Sequence, residues 1–212
     1  MTHRLNQRAS RLSSRLLPLA MAAALTLSAC TMPGDGDSSG VSASATPEWA
    51  HNATIYEVNV RQYSEEGTFD AFTRDIPRLK EMGVEILWLM PIHPIGELNR
   101  KGTLGSGYSV KDYVDVNPEF GTKEDFRELV AEAHRHQMKV IIDWVANHTA
   151  WDHPWITEHP DWYTQVGGEI VHPPGTGWLD VADLNFERDS MQVAMIRALK
   201  YWVLAANVDG YR

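Results

Sequence analysis

The sequence has a single cysteine, Cys30, so no disulfide can form within the chain and its stability must come from packing. It also has no basic excess: its formal net charge is -9. After the amino terminus no Lys/Arg stripe appears, which argues against phosphate-backbone contacts and hence against a nucleic-acid partner. The apolar stretch Leu16–Leu27 falls short of the ~20 residues that a membrane-spanning helix requires. No strand-like segment is followed by a G-x-G-x-x-G turn, so the usual dinucleotide site is absent. Nor does the sequence repeat with a solenoid period.

What is present is 43% hydrophobic and 22% charged, the composition of a globular chain with a core to bury. Arg4, Arg8, Arg11 and Arg15 precede the apolar stretch, which closes on Leu27-Ser28-Ala29-Cys30. This order predicts a secretory signal peptide over residues 1–29. Leu-Ser-Ala-Cys resembles the bacterial lipobox, which implies lipidation of Cys30 and export to the extracytoplasmic cell envelope, with the membrane touched through the lipid anchor only. Residues 30–48, rich in Gly, Ser, Ala and Asp, predict a flexible tether, and the folded part is expected over 49–212.

Along the folded part, Ile55 to Arg61 alternates, with Tyr56, Val58 and Val60 on one face, and predicts a strand. Thr68 can cap a helix carrying Phe72, Ile76, Leu79 and Met82, which Pro77 should kink or restart and Gly83 should stop. Ile86 to Met90 reads as a second, buried strand broken at Pro91. After a glycine-rich passage, Thr122 should cap a helix over Lys123 to Gln137 with Phe126, Leu129, Val130 and Ala133 on one side. Met138 to Ile142 is an unbroken apolar run that ends in polar side chains, as expected of a doubly buried parallel strand. In such sheets ligands bind outside the carboxyl ends of the strands, where Asp143, Asn147 and His148 emerge. Residues 151–180 show no periodicity. Asp189, with Gln192 behind it, should start a helix whose apolar face carries Ile196, Leu199 and Val203, and Asn207 to Arg212 turns toward another strand. Strands alternating with helices predict a parallel sheet and favour a barrel over a doubly wound fold.

The segments Gly83 to Pro91, Gly107 to Tyr113, Asp143 to His148, Val181 to Asn185 and Gly210 to Arg212 occur in the order and spacing of the α-amylase family, glycoside hydrolase family thirteen, which the chain resembles from about Ala53 to Arg212. The resemblance implies an α/β fold, a (β/α)8 TIM barrel of which this sequence holds about four strands, with residues 150–182 as a short inserted small domain after the third strand. It implies that Tyr108 is the aromatic platform under a sugar ring, that His148 bonds a hydroxyl of that sugar, and that Arg212 orients the nucleophilic carboxylate. By the same resemblance Asp143 holds that arginine, while Asn147 and Asp183 are ligands of a structural calcium. The expected activity is retaining hydrolysis of α-glucans such as starch or maltooligosaccharides. The alternatives are transglycosylation within the same family and a non-catalytic sugar-binding protein. The nucleophile and the acid of the family pattern are expected beyond Arg212, so the sequence as it stands is expected to be inactive. Glu57, Glu85, Asp112 and Asp115 match no family motif and are read as solvated or structural. Trp151, Trp155, Trp162, Tyr163 and Trp178 could stack on glucose rings through their apolar faces, but most of them are read as packing.

Overall fold

The computed structural model describes residues 46–212. The signal peptide, Cys30 and nearly all of the tether therefore lie outside the described residues.

A short 3-10 turn at Glu48–Ala50 leads into β1 (Ile55–Val58), followed by the helices α1 (Val60–Tyr63), α2 (Phe69–Thr73) and α3 (Ile76–Glu81) and by β2 (Ile86–Leu89). Next come α4 (Lys123–Arg135), β3 (Lys139–Ile142), β4 (His148–Ala150), α5 (Trp155–Glu158), the hairpin strands β5 (Gln165–Val166) and β6 (Glu169–Ile170), β7 (Val181–Asp183), α6 (Asp189–Ala206) and β8 (Gly210–Tyr211). Four strands form one parallel sheet in the order β1-β2-β3-β8, with Ile55 opposite Ile86, Ile86 opposite Lys139 and Ile141 opposite Gly210. The sheet follows the chain order of the alternating strands and helices, as the sequence predicts.

Local chemistry explains the boundaries. The expected strand to Arg61 is shorter than predicted and turns into α1 after Val58. Its neighbour β2 ends before Pro91, so beyond Met90, whose N–H bonds the Val58 carbonyl, β1 has no ladder to continue. Val60 is still buried, but from the first turn of a helix. Thr68 caps α2 by accepting the Ala71 N–H at 3.2 Å, and the helix restarts as α3 with Pro77 in its first turn, where a missing N–H costs nothing. Gly83, at φ +88, supplies the left-handed residue that ends α3. Thr122 and Asp125 form a reciprocal capping box on α4.

The core lies between the sheet and α2, α4 and α6. Val58, Leu87, Leu89, Val140 and Ile142 from the strands meet Phe69, Phe72, Phe126, Leu129 and Trp202. The carboxylate of Asp209 fastens β8 to β3: it accepts Lys139 Nζ at 2.7 Å, His134 Nε2 at 2.7 Å and the Val140 N–H at 2.9 Å.

Helix α6 begins at Asp189, as expected, and corrects the apolar face read for it. Gln192 donates to the Phe186 carbonyl. The buried face carries Met191, Met195, Ala198, Trp202 and Ala206, while Ile196 and Val203 are 50% and 44% exposed. The helix is apolar around most of its circumference, so periodicity does not set its phase; the fit of Trp202 against Phe126 and its Nε1 bond to the Tyr113 carbonyl at 2.7 Å do.

The segment expected to be an inserted small domain is held at its base by the antiparallel β4–β7 ladder, in which His148 faces Asp183. Trp162 and Tyr163 are buried within it, as expected for packing aromatics.

Two histidines are sealed inside. His93 is fully buried against Tyr113, Trp144 and Trp202, and its Nδ1 donates to the Asp115 carbonyl at 3.1 Å. His153 flanks the same Tyr113 ring. Burial pushes His93 down to about 4 and His153 down to about 3. An unfolded histidine titrates near ~6.5, so between about pH 6.5 and 4 the unfolded chain takes up protons that the fold refuses. Stability should therefore fall as the pH falls through that window, by about 1.4 kcal/mol per pH unit for each histidine. Urea unfolding between pH 7 and 4 measures the slope, and His93→Gln should reduce it; an unchanged slope would contradict the assignment.

Candidate active site at the carboxyl ends of the strands

The polar burst that follows β3 opens into a cavity of about 450 Å³. Its floor is set by the sheet. The Asp143 N–H bonds the Leu89 carbonyl of β2 and the Trp144 N–H bonds the Arg212 carbonyl, each at 2.8 Å, so the backbone leaving β3 is tied on both sides.

Asp143, whose side chain is 1% exposed, is the hub. Its Oδ1 accepts Arg212 Nη1 at 3.1 Å and its Oδ2 accepts the Tyr108 hydroxyl at 2.9 Å. The role expected for Asp143, holding the arginine, is thus its observed contact, and Tyr108 is a second group on the same carboxylate. The guanidinium of Arg212 also lies over the Trp88 ring, 4.9 Å from its centroid. Burial, and then the bond to Asp143, push the Tyr108 phenol up to about 12, so it remains a neutral donor.

His148 lines the same cavity. Its Nε2 lies 3.1 Å from the Tyr108 carbonyl, which can only accept, so Nε2 carries the proton and Nδ1 is left as an acceptor without a partner. Burial holds the imidazole below its ordinary pKa, against the carbonyl bond and the carboxylates of Asp180 and Asp183. The ring is neutral, and its Nδ1 is closed off from solvent. Tyr108, Asp143, His148, Asn147 and Arg212 all line the cavity.

Asp183 lies beside it, across the ladder from His148, and its Oδ2 accepts the Thr164 hydroxyl at 2.7 Å. Asn147 is exposed, and its carbonyl accepts the Leu184 N–H at 3.0 Å. The pair offers the oxygen donors a calcium ion prefers but only part of a shell of about six to eight. Among the described residues no cluster of three or more His, Cys, Asp or Glu side chains is placed to hold a metal, so carbonyls, amides and water would have to complete the set.

The family model described as the α-amylase catalytic domain matches residues 34–168. The chain belongs to the α-amylase family. It is 31% identical over 192 residues to α-amylase 3 of Dictyoglomus thermophilum, covering 77% of this chain and 36% of that protein. It is 33% identical over 180 residues to an α-1,4-glucan:maltose-1-phosphate maltosyltransferase of Rhodospirillum rubrum, covering 74% of this chain and 26% of that one. A crystal structure of an α-amylase from Lactobacillus plantarum superimposes with a TM-score of 0.74 at 47% identity over 77% of this chain and 38% of that chain. The four parallel strands are thus part of an α-amylase (β/α)8 barrel, and the chain spans little more than a third of the first of these curated relatives.

Sequence reasoning did not single out Lys101, Ser106 or Asp180 as cavity residues, and it named Trp178 only within a group of aromatics that could stack on sugar or pack. Lys101 Nζ pairs with Asp180 Oδ1 at 2.8 Å, and Trp178 sits edge-on to His148 with ring centroids 5.6 Å apart. Glycine-rich and proline-rich loops bring these residues in, and no periodicity marks such loops.

The Asp143 side chain is 1% exposed, and removing the partner of a buried charge costs about 3 kcal/mol or more. In the full-length protein Arg212→Met should therefore destabilise by about that much, and adding Asp143→Asn to it should recover part of the loss by removing the unpaired charge. Denaturant unfolding of the single and double variants checks this, and no recovery in the double variant would contradict it.

Proposed function

We propose that the full-length protein is a retaining glycoside hydrolase acting on α-glucans, with starch or maltooligosaccharides as substrate. The observation that carries this is the convergence of Tyr108, Asp143, His148 and Arg212 on one cavity at the carboxyl ends of the strands. A phenol ring, an imidazole ring and a guanidinium held by a carboxylate suit a ligand with apolar ring faces and many hydroxyls. In the proposed reaction Arg212, held by Asp143, orients and keeps ionised the nucleophilic carboxylate, and a second carboxyl group serves as acid and base, the two about 5 to 5.5 Å apart. The cavity carboxylates among the described residues, Asp143 and Asp180, are each held in an ion pair, and neither is assigned those roles.

Transglycosylation is the second reading, favoured by the similarity to a maltosyltransferase. The full-length protein should release reducing ends from starch, maltooligosaccharides or pullulan with the anomeric configuration retained, read by proton NMR. Longer products without net hydrolysis would select the transferase. Binding without turnover would select a sugar-binding protein and overturn the hydrolase.

Calcium is part of the same proposal, with Asn147, just before β4, and Asp183, on β7, contributing ligands. Chelation should lower the melting temperature and added calcium should restore it by mass action. Asp183→Ala should abolish that response, and identical melting curves with and without chelator would reject the site. Export and lipidation at Cys30 complete the proposal. Mass spectrometry of membrane-extracted protein reads the modification, and an unmodified Cys30 would remove the anchor.

A further inference from the structure

Resting on the glucan reading of the cavity, we propose that Lys101 is a positioning residue that acts through Asp180 to hold the indole of Trp178 against His148 as a sugar-facing wall. The segment before β7 is fastened at three points by separate parts of the fold. Trp151 Nε1 donates to the Leu179 carbonyl at 2.9 Å, Ser109 Oγ donates to the Asp180 carbonyl at 3.1 Å, and Lys101 Nζ pairs with Asp180 Oδ1 at 2.8 Å. Two of these grip the backbone. The third is the ion pair, and its exposure is lopsided: the Asp180 side chain is 4% exposed and that of Lys101 is 53% exposed.

That asymmetry gives the pair its leverage. Without Lys101 a nearly buried carboxylate loses its counter-charge, and turning it outward to water is the cheapest relief. Trp178 is two residues away on the same short segment, is 45% exposed, and rests only edge-on against His148. Its backbone N–H is held locally by Thr176 Oγ1 at 3.3 Å, within the segment that would move. The ring of Trp178 therefore has no firm anchor of its own, and its place in the cavity follows from Asp180. Lys101 comes from the glycine-rich loop after β2, which also brings Ser106 and Tyr108 to the cavity. One ion pair thus couples the loop carrying Tyr108 to the segment carrying Trp178.

The test uses the full-length protein and two readouts. The emission of Trp178 is isolated as the difference between the wild type and Trp178→Phe, without ligand. Lys101→Met should shift that component to the red and make it several-fold more quenchable by acrylamide, whereas Lys101→Arg should preserve it. With maltoheptaose as probe, Lys101→Met should raise KM about fivefold, a size typical of coupled contacts, with a smaller effect on kcat. In a Trp178→Ala background the same change should have little further effect. A wild-type Trp178 component in Lys101→Met would overturn the proposal. So would an equal KM increase with and without Trp178, because Lys101 would then act on the sugar or the fold directly. The ligand-free fluorescence decides the positioning role even if maltoheptaose fails to bind, an outcome that counts against the glucan reading alone.

Discussion

A buried carboxylate organises this structure. Asp143 is carried out of the sheet at the end of β3, is closed off from water and accepts a guanidinium on one oxygen and a phenol on the other. An ionised group in that position must be satisfied by partners, because its desolvation is repaid only by well-placed donors. The demand fixes Tyr108 from the loop after β2 and Arg212 from the end of β8 relative to one another, although far-apart parts of the chain supply them. The hydrogen bonds from Asp143 to Leu89 and from Trp144 to Arg212 make the floor rigid, so the side chains above it inherit a defined geometry.

The same logic recurs at the opposite end of the strands. Asp209 gathers Lys139, His134 and a backbone N–H at the start of β3, where burial raises its pKa but those three donors lower it further, leaving it below the ordinary carboxylate range. One carboxylate thus ties β8 to β3 before the strands begin and another ties their outlets. Between them the sheet is apolar, with Leu87, Val140 and Ile142 fully buried. Polar groups that need partners sit at the ends of the strands, and the interior is left to packing.

How much could be read from the sequence differed by feature for physical reasons. The strands from Ile86 and Lys139, the capped helix α4 and the restart at Pro77 were legible because each rests on local chemistry: an apolar run, a Thr cap, a ring that cannot donate. Asp143 and Arg212 were legible because each stands directly after a strand, and Tyr108 and His148 because each lies within a recognisable segment. The phase of α6 was not, since its apolar residues are not confined to one face and Trp202 against Phe126 orients it. The end of β1 depended on where its neighbour stops. Lys101, Asp180 and Trp178 meet through loops, and nothing in either loop's sequence states that the other will be beside it.

We propose that the cavity above β3, assembled on Asp143, is where an α-glucan binds. Hydrogen exchange of the full-length protein with and without maltoheptaose tests it most directly. The account predicts that the sugar slows exchange in the peptides covering Ser106 to Ser109, Trp144 to His148 and Trp178 to Val181, and that Asp143→Asn weakens this protection. Binding that protects other segments while leaving these three unchanged would contradict it.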